Sequence, residues 1–130
     1  MKFILMMHAP WGETGDWEIL KWPKSAIDAH LAVFAELNKE LEKKGELVAI
    51  DGLAPPREAR LVRANPKGGA PVTDGPFAES KEFLAGWWIV DVDSPERAFE
   101  IAARASAAPG RDGRPLNMPI EVRQVMSGGV

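Results

Sequence analysis

Two histidines, His8 and His30, are the imidazoles this chain offers for proton transfer, and with no cysteine there is no thiol chemistry, disulfide or cysteine-ligated metal. His30 falls on the apolar stripe of a helical pattern, where an unpaired imidazole is costly to bury. Two roles are open to it: acid or base at a pocket, or a core-edge side chain bonded to a backbone carbonyl. His8 ends the first apolar run, pointing with Met6, just before a segment that carries Trp11, Trp17 and Trp22. It can form a site wall or face solvent at a strand end. The tryptophans line an aromatic pocket on one reading and pack onto the sheet on the other. Arg123, near the end of the chain, suits an anionic ligand or an ion pair with Glu121 or Glu82. Neither His-x-x-x-His nor Glu-x-x-His spacing is present, so no metal site is expected. Dinucleotide, phosphate-loop and Gly-x-Ser-x-Gly patterns are absent too, and no cofactor is expected.

A carboxylate enters at Thr73-Asp74-Gly75-Pro76-Phe77-Ala78-Glu79-Ser80-Lys81-Glu82, where turn formers stand directly ahead of a very apolar strand. Gly75 can take a positive φ, Pro76 fixes its own φ, and the Asp74 side chain can bond nearby backbone amides. Phe77 is expected to pack inward. Such a loop can aim the Asp74 carboxylate, or Asp74 can merely cap its own turn. Lys81 and Glu82 read as part of a solvated charge cluster.

The elements that must position these groups follow from periodicity. Lys2 to His8 reads as a strand with Ile4, Met6 and His8 on one face and Phe3, Leu5 and Met7 on the other. From Ser25 the period turns helical, with Ile27, His30, Leu31, Phe34, Leu37 and Leu41 on one stripe and Ser25 with Asp28 resembling a capping box. Gly45 suits the stop. Strands follow at Leu47 to Ile50 and Ala59 to Ala64, with a turn at residues 65–71 and a strong strand from Gly86 to Val92. Ser94-Pro95 opens a second helix through Phe99, Ile101, Ala102 and Ala105, and a last strand runs from Ile120 to Met126. This order predicts an α+β fold: a ferredoxin-like βαββαβ core with an inserted hairpin across residues 55–83.

Length and charge bound the rest. At 130 residues and 45% hydrophobic, the chain suits a single domain over residues 1–130. A formal net charge of −3, with lysine and arginine scattered among acids, argues against nucleic acid. No apolar run approaches membrane-spanning length and the opening run is too short for a signal peptide, so a cytoplasmic protein is expected. Two helices cover only one sheet face, yet the central strand is apolar on both, with Trp87 and Ile89 on one side and Trp88, Val90 and Val92 on the other. A homodimer packed face to face is the expected remedy.

Several stretches carry a family resemblance: Ala29-His30-Leu31, Lys44-Gly45-Glu46-Leu47-Val48, Gly52-Leu53-Ala54-Pro55-Pro56, the Asp74-Gly75-Pro76-Phe77 signature, and Ile120-Glu121-Val122-Arg123-Gln124-Val125. The chain resembles the DGPF-domain branch of the YCII-related proteins over nearly its whole length. The resemblance implies a dimeric α+β barrel that binds a small organic molecule between the first helix, the sheet and the signature loop. It also implies His30 as acid or base of a cofactor-free lyase- or isomerase-type step. In YCII relatives that histidine works with an aspartate of an Asp-Pro pair after the second helix. This chain has Ala108-Pro109 there, which leaves Asp74 as the substitute carboxylate. Met6, His8, Trp11, Trp17, Phe77 and Arg123 complete the expected ligand contacts. The same resemblance implies an alternative role: a non-catalytic ligand sensor or partner beside an extracytoplasmic-function sigma factor.

Overall fold

Alternation along the first strand decides which way the sheet faces. In β1 (Lys2–Pro10), Phe3, Leu5, Met7 and Ala9 are buried while Ile4, Met6 and His8 are only half-buried. The structure, a computed structural model, describes residues 1–10, 18–75 and 82–126. Its other elements are α1 (Lys24–Lys43), β2 (Leu47–Gly52), β3 (Arg60–Val62), β4 (Val72–Asp74), β5 (Glu82–Asp91), α2 (Pro95–Ser106) and β6 (Ile120–Gln124). Four strands pair in the order β2-β5-β1-β6, every neighbour antiparallel, while β3 and β4 form a separate two-stranded sheet. The fold is therefore α+β, an antiparallel sheet with two helices, and the small hairpin falls inside the stretch expected to hold an insertion.

Both helices pack on the same sheet face. Phe3, Leu5, Met7, Trp88 and Val90 meet Leu37 and Leu41 of α1 and Ala98, Ile101 and Ala105 of α2 in one core. Each of the large apolar side chains there contributes about 1.5–3 kcal/mol of burial. Trp88 keeps its indole satisfied by donating Nε1–H to Asn38 Oδ1 at 3.0 Å. On the opposite face the register sets Ile4 beside Ile89 and Met6 beside Trp87, all four half-buried.

Local signals decide the helix ends. Gly45, at φ 71°, donates to the Glu42 carbonyl while Glu46 donates to the Leu41 carbonyl, the paired bonds of a Schellman stop. Ser94 caps α2 by accepting from the Arg97 amide, with Pro95 next to it. Arg97 then grips Glu46 through two bonds of 2.8 and 2.9 Å and Glu100 at 2.7 Å, tying α2 to the residue ahead of β2. That grip holds the Glu46 carboxyl below its usual range.

Three local expectations are corrected. Ser25 and Asp28 make no capping box, because α1 already begins at Lys24 behind Pro23, whose ring has no oxygen to cap with, and Asp28 pairs with Lys24 instead. Leu31 is 51% exposed, since it lies about 90° from the centre of the His30, Phe34, Leu37 and Leu41 stripe. Gly75 does not have a positive φ. Its role is steric, as a Cβ there would come within 3.3 Å of Ala59 and Leu61.

Candidate functional site

The β1–β6 register brings together what the sequence leaves 113 residues apart. Met6 pairs with Glu121 and Ile4 with Arg123, so these side chains share the sheet face that the helices leave open. One diagonal step along β1, His8 Nε2 lies 3.0 Å from Glu121 Oε1. A carboxylate only accepts, so Nε2 carries the hydrogen and, in the neutral ring, Nδ1 carries the lone pair. A ring held by a carboxylate on one nitrogen is oriented to exchange a proton through the other. At 26% side-chain exposure for His8 and 50% for Glu121, solvent or a ligand reaches the pair.

His8 also lines a cavity of about 610 Å³. The cavity lies between the end of β1, the start of β5 and residues 53–59, with Leu53, Pro55, Pro56, Phe83 and Leu84 as apolar wall and Glu58 and Glu82 as charged groups. A bulge helps shape it: the β1–β5 register slips between Met7 and His8, so that His8 faces Leu84 and Ala85 is skipped. Beside it, Arg57, Lys21 and Glu18 line a smaller cavity of about 280 Å³.

His30 stands elsewhere, on the helix-covered side of the sheet. It is fully buried, with Trp22 and Phe34 packed edge-on at ring distances of 5.4 and 4.6 Å. Its Nδ1 donates to the Pro109 carbonyl at 2.9 Å, and Nε2 is buried with no partner among the described residues. Burial pushes this imidazole below its ordinary range, and the bond to Pro109 offsets only part of that. The ring is thus a neutral one, bonded to a backbone carbonyl and lining neither of the two cavities described above.

The expected contact between His30 and Asp74 is not made. Asp74 sits at the end of β4 with its side chain 93% exposed and 3.5 Å from Arg60, so solvent and a guanidinium hold it rather than an imidazole or its own turn. Ala108, which stands before Pro109, is buried and has no carboxylate to offer the ring. Of the expected ligand contacts, Met6, His8 and Arg123 share one face, and Arg123 makes no ion pair with Glu121 or Glu82. Trp11, Trp17 and Phe77 lie outside the described residues. Sequence reasoning missed Glu121 as the partner of His8, and Glu58 and Glu82 as cavity residues. Only the alternation of β6 hinted at the first, and no short-range pattern marked the others.

Among the described residues, no three His, Cys, Asp or Glu side chains gather as a metal site, and no helix is long and apolar enough to cross a membrane. Residues 1–110 match the family model of the YCII-related domain. The chain is also 30% identical over 87 residues to an uncharacterised protein of Rhizobium meliloti (strain 1021), an alignment covering 67% of this chain and 69% of that protein.

Proposed function

This chain belongs to the YCII-related family, and from that premise we propose that it binds a small organic molecule in the cavity beside His8 and moves a proton on it without a cofactor. One observation carries this reading: an imidazole held 3.0 Å from a carboxylate in the wall of a largely apolar cavity of about 610 Å³. Cavities of this size and lining suit small organic ligands. His8 Nδ1 would take a proton from the bound molecule, and Glu121 would stabilise the imidazolium so formed, the division of labour of a lyase- or isomerase-type step. His30, neutral and sealed from solvent, serves the fold in this reading.

The Asp74-Gly75-Pro76-Phe77 signature supports membership of the DGPF branch. The strand order β2-β5-β1-β6, with a helix after the first and the fifth strand, supports a ferredoxin-like core. The half-buried Ile4, Met6, Trp87 and Ile89 support a homodimer closed through that face into a dimeric α+β barrel, since one chain leaves them in contact with water.

His8→Ala and Glu121→Gln test the site. Both positions are part-exposed, so each variant should keep its stability within about 0.5 kcal/mol of the parent. Small-molecule fragments that shift the amides of Leu53 and Leu84 in the parent should bind the His8→Ala variant more weakly. Fragments that bind it equally well, or that gather elsewhere on the protein, would remove His8 from the site.

A further inference from the structure

We propose that the ligand of this cavity is a small amphipathic organic cation, an arylalkyl- or alkylamine whose ammonium group is held by Glu58 and Glu82. The proposal rests on reading the cavity as a small-molecule site and adds the chemistry of what enters it. Its walls are apolar, with Leu53, Pro56, Phe83 and Leu84 fit to cover a hydrocarbon body. Its charged groups carry one sign: both glutamates are acidic, and no lysine or arginine stands among the described lining residues. The third ionisable group, His8, is already matched by Glu121, so a charge on the ring adds no net positive field.

Among the described residues, three nearby cations are committed elsewhere or line another surface. Arg60 pairs with Asp74, Lys21 pairs with Glu18, and Arg57 lines the smaller cavity next door. Glu58 and Glu82 make no ion pair with any described residue. A carboxylate ligand would face two like charges, whereas an ammonium would meet two acceptors, and a net charge of −3 steers in the same direction.

The test is a comparison of three isosteres, phenethylamine, phenethyl alcohol and hydrocinnamate, titrated at neutral pH and low ionic strength. Binding is read from the amide shifts of Leu53 and Leu84. Phenethylamine should bind about five- to tenfold more tightly than the alcohol, the scale of two exposed ion pairs, and hydrocinnamate should be the weakest. In the Glu58→Gln, Glu82→Gln double variant the three affinities should converge. Hydrocinnamate binding as well as phenethylamine at these residues, or an amine preference that survives the double variant, overturns the cation and leaves the cavity standing as a site. If none of the three shifts Leu53 or Leu84, the cation and the cavity reading fall together.

Discussion

Replacing His30 with alanine should cost the fold about 3–5 kcal/mol, the sum of the void left by a fully buried ring and the loss of a donor to a part-buried carbonyl. The ring fills the space between Trp22 and Phe34, and its bond to Pro109 ties α1 to the chain just past α2. The same residue should shape the acid side of the stability curve. Burial holds the folded-state value below the ordinary 6.5, so at and above neutrality the neutral ring's contribution is complete. As pH falls from 6.5 toward the folded value, the unfolded chain takes up a proton that the folded one refuses, and stability declines. Below the folded value the decline from this group stops. Urea denaturation at stepped pH measures both effects, and His30→Phe should lack the decline that begins at 6.5. An alanine variant within about 1 kcal/mol of the parent, or an unchanged pH profile in the phenylalanine variant, would contradict the buried neutral ring.

Ile89→Asp should raise the dissociation constant of the proposed homodimer by about four to seven orders of magnitude, because a two-fold interface would bury two unpaired carboxylates, each costing about 3–5 kcal/mol. Ile89 stands beside Ile4 and Ala49 at the middle of the open sheet face. It is only half-buried in one chain, so the variant should fold as a monomer. Leu31→Asp is the control, since Leu31 is exposed on α1, on the far side of the sheet. Sedimentation at micromolar concentration should show a dimer for the parent and the control, and a monomer for Ile89→Asp. A monomeric parent would end the dimer proposal.

The fold was legible where local chemistry and periodicity agree. A near-continuous apolar run marked β1, two-residue alternation marked β6, the 3.6 period marked α1, and Gly45 and Ser94-Pro95 marked helix ends that bond as those residues dictate. It was misread where a neighbour outcompeted the pattern: Pro23 began α1 ahead of Ser25, and Arg60 claimed Asp74. The candidate site was less legible for a different reason. His8 and Glu121 meet only through the register of β1 against β6, and the cavity forms only when residues 53–59 fold against the start of β5. Neither is written in the spacing of residues along the chain. The helical stripe did place His30 inside. What it lacked was the Pro109 carbonyl, which satisfies one ring nitrogen and makes the residue part of the core.

The two histidines put the central claim to one measurement: imidazole-detected NMR of the parent protein during titration with a small-molecule fragment that binds it. If the site is the cavity beside His8, the His8 ring resonances move with ligand concentration and lose that response in Glu121→Gln, while the His30 ring stays fixed. A ligand that moves the His30 ring and leaves His8 unchanged would return the chemistry to the helix-covered side of the sheet and contradict the site proposed at His8.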